Sequence, residues 1–275
     1  NKDVIAKLPN EVRQIINSDA EVVNKLGSNA MGNYLYVYKG VYATDEDVPV
    51  NPLTGERLRM GGNTSTQAYF KAGDPIWVDV NGDYIIDEKD KVIVGNSQRR
   101  MTGGISINLR YKAFSINTNC SFTLRRDIIN KALADRFRAY GTPVAGKVNL
   151  TGSGALTPIE AYNFWTEDNI YAQYPNPFDY TRSSIIQPFR YDQTLFMEDG
   201  SYFKINGISV AYTIPKKMLD FFRISRCQLN FSMNNIYTFS KYSGINPENV
   251  NNLGYDTSGG YPNGRTVTFG VSMDF

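Results

Sequence analysis

The chain has 275 residues, 41% of them hydrophobic, and its 29 Lys and Arg against 27 Asp and Glu leave a net charge of +2. This balance excludes the basic surface expected of a nucleic-acid-binding protein, and the absence of histidine excludes His-based triads and His metal sites. Two cysteines cannot build a disulfide scaffold, whereas the abundant Tyr, Phe and Gly favour β structure.

Six segments have the pattern of β-strands. In chain order they are residues 34–42, 105–111, 114–124, 202–213, 227–234 and 265–275. The first is rich in tyrosine, and the other five alternate between apolar and uncharged polar residues. In the last segment, Val267, Phe269 and Val271 share one phase. Successive side chains of a strand point to opposite faces, so each alternating segment predicts one apolar and one polar face.

The connections between these strands differ greatly in length. Residues 111–114 are short enough for a tight hairpin, and a change of phase at Asn206-Gly207 predicts a β-bulge. The connections at 43–100, 125–200 and 240–264 are long. Short turns at one rim and long loops at the other are typical of outer-membrane barrels, and strand parity puts all three long loops on the outer side.

The polar phase carries Asn, Ser, Thr and Gln, while most charged residues lie in the connections. A soluble sandwich usually has Lys, Glu and Asp on its outer face. Strands of about ten residues with one apolar and one uncharged polar face fit a transmembrane barrel. A soluble antiparallel sheet remains the alternative from periodicity alone, and it requires the row of Val267, Phe269 and Val271 to be buried.

An ordered set of motifs resembles a known family. The longest is GDPIWVDVNGDYIID at 73–87. It is followed by VGN at 94–96, TGG at 102–104, YKAF at 111–114, DGSYFKI at 199–205, AYTIP at 211–215, NNIY at 234–237 and TFGVSMDF at 268–275. Each motif is weak alone. Their order and spacing over residues 30–275 resemble the C-terminal barrel region of SusC/RagA-type TonB-dependent outer-membrane transporters.

This resemblance implies an all-β fold. The chain would be the C-terminal part, residues 1–275, of one antiparallel transmembrane barrel of about 22 strands, with extracellular loops at 43–100, 125–200 and 240–264. We expect the plug and the TonB-contacting segment to lie outside this chain, together with the remaining barrel strands, on the same or a separate polypeptide. The implied location is the outer membrane of a Gram-negative bacterium.

The same resemblance implies nutrient import. A SusD-like surface lipoprotein would capture oligosaccharides or oligopeptides, and the TonB complex would supply energy. Outer-membrane lipid would surround the wall, and no nucleic acid is expected. The alternative is a calcium-binding β interaction module, or a separate subunit of a split outer-membrane complex, without transport activity of its own. No residue pattern positions an acid–base pair or a nucleophile, so we expect no enzyme, and no substrate-binding residue is assigned.

One acidic turn has the spacing of a calcium loop. Positions 1, 3, 5, 7, 9 and 12 of a twelve-residue window are Asp79, Asn81, Asp83, Ile85, Asp87 and Asp90, with Ile85 offering its carbonyl. Two features depart from the usual loop, because Tyr84 replaces the glycine at position 6 and Asp90 the glutamate at position 12. The other interpretation is a solvated turn organised by Asn81-Gly82. Calcium, if bound, would order an outer loop without doing chemistry.

The long connections also carry many aromatic residues. They are Trp77, Tyr162, Phe164, Trp165, Tyr171, Tyr174, Phe178 and Tyr180. These rings could line a substrate path, but packing of the loops' own core is the interpretation we favour.

Overall fold

The computed structural model describes ten stretches of the chain, which are residues 4–7, 12–17, 20–28, 32–62, 68–140, 143–144, 147–148, 161–222, 224–257 and 263–274. Its strands are β1 (Val12–Asn17), β2 (Ala20–Lys25), β3 (Gly32–Tyr36), β4 (Tyr38–Val41), β5 (Arg59–Met60), β6 (Pro75–Trp77), β7 (Ile85–Ile86), β8 (Lys91–Val94), β9 (Met101–Tyr111), β10 (Phe114–Leu124), β11 (Asp127–Ile129), β12 (Pro143–Val144), β13 (Lys147–Val148), β14 (Met197–Asp199), β15 (Tyr202–Thr213), β16 (Arg226–Ser240) and β17 (Thr266–Asp274).

Helices are short and few in these stretches. The α-helices are α1 (Lys131–Tyr140) and α2 (Lys216–Leu219), and 3-10 helices lie at Asp45–Asp47, Glu88–Asp90, Tyr180–Arg182, Thr194–Phe196 and Asp220–Phe222. Within the described residues, no helix has the length and apolar character needed to cross a bilayer.

The five long strands form one antiparallel sheet in the order β17-β16-β15-β10-β9. They correspond to the five alternating segments of the sequence, and the prediction of these strands is confirmed; only Phe275 of the last segment lies outside the described residues. β-Branched and aromatic residues fill one phase of these strands, which suits a pleated surface.

Two local predictions for this sheet are also confirmed. Tyr111 pairs with Phe114, so Lys112 and Ala113 alone form the turn between β9 and β10, and Lys112 takes a positive φ of 52°. In β15 the pairing register shifts between Ile205 and Gly207. This bulge keeps the apolar residues before and after it on one face despite the change of phase.

The tyrosine-rich segment 34–42 does not join the long sheet. It divides into β3, which lies in a sheet of order β1-β2-β3-β8, and β4, which pairs with β6. Tyr36 and Tyr42 are almost fully buried. The segment therefore packs into a core with the long connections. The prediction that it forms one strand like the other five was wrong, because its tyrosines reflect buried aromatic rings and not a place in the long sheet.

The long connections pack against one another and against β2, β3 and residues 37–42, and together these segments form two apolar clusters. Cluster A contains Val22, Leu35, Ile129, Leu133, Ala134, Phe137, Phe164, Phe189, Phe196 and Tyr255. Cluster B contains Tyr36, Tyr42, Val48, Leu58, Met60, Phe70, Trp77, Ile86 and Ile186. We call these packed segments together the cap. Backbone bonds from Ile129 N–H to Gly254 O, and from Asp256 N–H to Ile129 O, both 2.9 Å, join the third long connection to the second.

Candidate functional site

The long sheet exposes an apolar face. Val267, Phe269 and Val271 of β17 are 59%, 68% and 46% exposed. The same face continues over the neighbouring strands with exposed Ile105, Ile107, Leu109, Ile116, Phe231, Tyr237 and Phe239. A soluble monomer rarely exposes an apolar patch of this extent. The soluble-sheet alternative required this row to be buried, and its exposure contradicts that alternative.

The opposite face of the sheet is polar and internally hydrogen-bonded. Ser106 Oγ donates to Asn119 Oδ1 at 2.8 Å, and Asn117 Nδ2 donates to Asn108 Oδ1 at 2.5 Å, across the β9–β10 pair. Amide and hydroxyl side chains can both donate and accept hydrogen bonds, so a face lined with them can bind water or a polar solute although it has no net charge. This face therefore has the chemistry of a wet wall.

The third long connection reaches this polar face through an ion pair. Lys204 lies opposite Ser121 in the register of β15 and β10, so it shares the polar face. Its Nζ lies 2.5 Å from Glu248 Oε2, and the lysine side chain is mostly buried. The pair fixes the segment around Glu248 against the inner surface of the sheet, near the level where the long loops begin.

A buried ion pair joins the first and second long connections. Arg182 Nε and Nη2 donate to the two oxygens of Asp74 at 3.0 and 2.5 Å, and Nη2 also donates to Tyr69 O at 2.7 Å. Both charged side chains are nearly inaccessible to water. Such a bidentate pair fixes the relative orientation of the two segments as well as their distance.

A second charged network lies beside cluster B. Asp192 accepts from Arg190 Nε and Nη2 at 2.5 and 2.6 Å, and Lys91 Nζ approaches it at 2.8 Å. The Arg190 guanidinium stacks over Tyr36, 4.6 Å from the ring centroid. Burial alone would raise the pKa of Asp192, but the hydrogen bonds and charges of Arg190 and Lys91 outweigh it, so this pKa lies below its ordinary value.

A buried glutamine completes this network. Gln193 Oε1 accepts from Trp77 Nε1 at 2.8 Å, while Gln193 Nε2 donates to the carbonyls of Pro188 and Arg190 at 2.7 and 2.9 Å. All the polar atoms of this side chain are thereby used, as a buried amide requires. The prediction that the loop aromatics pack a core of their own agrees with this region. Trp77, Phe164 and Trp165 are buried, whereas Tyr171 and Phe178 are exposed.

The acidic turn at 79–90 is tightly folded. Asp79 accepts from the backbone N–H groups of Gly82 and Tyr84 at 2.7 and 2.8 Å, and Asp83 accepts from Ile85 N–H at 2.9 Å. Tyr84 has a φ of 61°, which is the left-handed conformation that glycine usually provides. The predicted turn thus forms with tyrosine at the position where a calcium loop has glycine.

Two further predicted ligands, Asp87 and Asp90, accept hydrogen bonds from the protein's own backbone. Asp87 accepts from Lys89 N–H at 2.8 Å, and buried Asp90 accepts from Val80 and Asp87 N–H, both at 2.8 Å. Burial raises the pKa of Asp90. Ile85 lies in β7 beside β5. Among the residues described, no group of three acidic, His or Cys side chains is arranged to hold a metal, and calcium binding stays a prediction.

An arginine at the start of the second long connection is buried. Arg126 Nε donates to Ser97 O at 3.2 Å and Nη1 to Pro247 O at 3.3 Å. Burial lowers the pKa of Arg126 to about 10, with the nearby Arg99 acting in the same direction. The guanidinium remains charged at neutral pH, and it ties segments from all three long connections.

Sequence reasoning missed the side chains that hold the cap together. Asp74, Arg182, Asp192 and Gln193 attracted no prediction for this role, because their partners are distant in the sequence. The only local feature is that Asp74 belongs to the motif at 73–87. The motif does not indicate that the partner of Asp74 is an arginine 108 residues later.

A single-layer antiparallel sheet with an apolar outer face, a polar inner face and packed loops at one end defines a segment of a transmembrane β-barrel wall. No protein-family profile matches the chain. The chain is similar to several TonB-dependent receptors. TonB-dependent receptor P3 of Formosa agariphila is 27% identical over 299 residues, which cover all of this chain and 26% of the relative. SusC of Bacteroides thetaiotaomicron is 23% identical over 270 residues, covering 91% of this chain and 24% of SusC.

Solved structures show the same fold. A structure of the RagAB peptide transporter superposes with a TM-score of 0.67 at 17% identity, covering 99% of this chain and 25% of that one. A RagAB peptide importer in the closed-closed state gives a TM-score of 0.62 over 98% of this chain. The resemblance to SusC/RagA-type TonB-dependent transporters is therefore confirmed. The relatives are receptors and not enzymes, as expected, and this chain spans about a quarter of their length.

Proposed function

We propose that the chain forms part of the wall and the outer loops of a SusC/RagA-type TonB-dependent importer in the outer membrane of a Gram-negative bacterium. The observation that carries this proposal is the exposed apolar row of Val267, Phe269 and Val271 on a sheet whose other face is polar. Only a hydrocarbon environment on one side and water on the other favours both faces of such a sheet.

The dimensions of the sheet support the proposal. Its strands have 9 to 15 residues, and a tilted strand of about 9–11 residues crosses a bilayer. Aromatic residues of the apolar face lie near both ends of the strands, with Tyr111 and Phe114 at the short turn and Phe203 and Phe239 toward the cap. Aromatic girdles at the two membrane interfaces are typical of outer-membrane barrels.

The edges of the sheet support a larger barrel. Among the described residues, the outer edges of β9 and β17 pair with no further strand. Long exposed edges are prone to pairing with other chains, and closing the barrel removes them. The remaining wall, the plug and the TonB-contacting segment would come from the rest of this polypeptide or from a separate one.

The cap would be the surface for the partner lipoprotein. The similar solved structures are those of a peptide importer and a peptide transporter, and SusC is among the relatives. By analogy we propose a SusD-like lipoprotein that delivers oligosaccharides or oligopeptides to this side. The cap's two apolar clusters and its buried ion pairs are suited to a surface that keeps its shape during such binding.

Calcium binding by the turn at 79–90 is part of the proposal. The spacing of Asp79, Asn81 and Asp83 and the left-handed Tyr84 support it. The bound ion would stabilise the start of β8 and, through Lys91, the network around Asp192. It would have a mechanical role only.

The experiment compares migration and extraction of the isolated protein. A barrel component should resist extraction by salt, require detergent and change its gel migration on heating. A water-soluble monomer without heat-dependent migration would contradict the importer proposal and favour the interaction module. Association with a membrane complex without uptake by the assembled system would favour a split subunit that lacks transport activity.

A further inference from the structure

The connection between β15 and β16 exposes apolar and basic side chains together. It contains α2 and the 3-10 helix Asp220–Phe222. Met218 is 64% exposed and Phe221 is 88% exposed, and Lys216 and Lys217 beside them are also exposed. A water-soluble turn has no reason to present a phenylalanine to this extent.

The position of this connection follows from two buried residues. Cys227 belongs to the apolar phase of β16 with Leu229 and Phe231, yet it is only 4% exposed, whereas Phe231 is well exposed. α2 contacts β16, and its Leu219 is buried. We therefore place α2 against the apolar side of the sheet, at the end of the row that Cys227 begins.

The neighbouring strands continue the same chemistry at this rim. Tyr111, Phe114 and Tyr212 belong to the apolar phase at the ends of β9, β10 and β15, and the rings of Phe114 and Tyr212 are 4.6 Å apart. Lys112 places its ammonium 5.3 Å from the centroid of the Tyr111 ring. The rim thus carries lysines beside aromatic rings on the side that faces lipid.

We propose that α2 and the following 3-10 helix form an interfacial anchor, in which Met218 and Phe221 enter the bilayer surface and Lys216 and Lys217 bind phospholipid headgroup phosphates. The inference rests on the proposed membrane barrel and adds a lipid-binding element to it. Continuity with the apolar face supports lipid as the occupant. Of the charges on α2 and the 3-10 helix, the two lysines outnumber Asp220, which favours anionic headgroups.

The test uses tryptophan as a depth probe. Phe221→Trp and Phe269→Trp are made separately, and the protein, in the assembly in which it is isolated, is reconstituted into vesicles of phosphatidylethanolamine and phosphatidylglycerol. Lipids brominated near the headgroup or deep in the chain quench nearby indoles. The native Trp77 and Trp165 are both buried in the cap, and the unsubstituted protein measures their background.

We expect shallow bromines to quench the indole introduced at position 221 and deep bromines to quench the one at 269. The preference for anionic lipid is the ratio of quenching at position 221 by brominated phosphatidylglycerol to quenching by brominated phosphatidylethanolamine. Adding Lys216→Gln or Lys217→Gln should lower this ratio by about fivefold for each lysine. Quenching at 269 without quenching at 221 would overturn the anchor while leaving the barrel intact. Absence of quenching at both positions would overturn the barrel and the anchor together.

Discussion

Arg182 and Asp74 form a two-point ion pair between segments that are 108 residues apart in the sequence, with donor–acceptor distances of 3.0 and 2.5 Å. Their side chains are 5% and 2% exposed. Water cannot replace either partner at such a site, so the loss of one leaves a buried, unpaired charge. The pair therefore makes the fold of the first long connection depend on that of the second.

Arg182→Ala should destabilise the cap by about 3–5 kcal/mol, because the buried Asp74 carboxyl would lose the hydrogen bonds and the charge that offset its desolvation. Trp77 and Trp165 both lie buried in the cap, so the fluorescence of the chain during urea unfolding reports the cap directly. Arg57→Ala provides the control. It removes an exposed pair with Asp45 at 3.5 Å and should cost at most about 1 kcal/mol. Equal losses of unfolding free energy in the two variants would show that the buried pair stabilises the cap no more than the exposed pair does.

The Asp192 network should make the cap sensitive to acid. The pKa of Asp192 is lowered in the folded state, so the carboxylate contributes stability above its unfolded pKa of about 3.9. That contribution is lost as the pH falls further, through the folded pKa. The free energy of unfolding of the native protein should therefore exceed that of Asp192→Asn at neutral pH, and the difference should shrink below about pH 4.

The control for this pH dependence is Glu46→Gln, which changes an exposed carboxylate of the first long connection. The free energy of unfolding of Glu46→Gln should differ little from that of the native protein at every pH. A difference for Asp192→Asn that stays constant through the acid range would contradict the charge-pairing explanation, and would indicate that shape and hydrogen bonding alone matter at position 192.

Local alternation was sufficient to predict the long sheet. The segment at 227–234 predicted a strand and its two faces, and the structure extends it to Arg226–Ser240 with the same faces. The cap could not be predicted in this way. Its stability depends on pairs such as Trp77 with Gln193, 116 residues apart, for which no local pattern exists. The tyrosines of 34–42 illustrate the same limit, since a strand preference does not say which sheet or core a strand joins.

The two faces of β17 should respond oppositely to charge. Phe269→Lys places an ammonium on the apolar face near the middle of the strand, and should destabilise the membrane-inserted protein by about 2–4 kcal/mol. Thr268→Lys is the matched control, because the adjacent residue faces the polar side and its charge would stay in water. The measurement is the fraction of heat-modifiable protein as a function of urea in lipid vesicles. Similar losses for both variants would contradict the lipid-facing assignment.

The calcium turn can be tested without breaking its fold. Asp83 accepts one backbone hydrogen bond, from Ile85 N–H, and Asn keeps an acceptor oxygen for it while removing the charge. Asp79 accepts from Gly82 N–H and Tyr84 N–H on different oxygens, so Asn keeps only one of these two bonds. Asp83→Asn should therefore leave the turn folded, whereas Asp79→Asn should also weaken the turn by one backbone hydrogen bond. Each should lower calcium affinity by about tenfold or more, because affinity depends on the number of charged ligands. Calorimetric titration of the intact protein with Ca²⁺ measures this.

The matched control for calcium is Glu88→Gln, which lies in the same turn but outside the ligand positions 1, 3, 5, 7, 9 and 12. It should titrate like the native protein. Calcium should also raise the melting temperature of the native cap, since binding only to the folded state adds to its stability. Two outcomes would contradict calcium binding at this turn. They are the absence of any heat of binding in the native protein, and a heat of binding that is the same in Asp79→Asn and Asp83→Asn as in the native protein. Either would show that these carboxylates serve only the hydrogen bonds that already organise the turn around Tyr84.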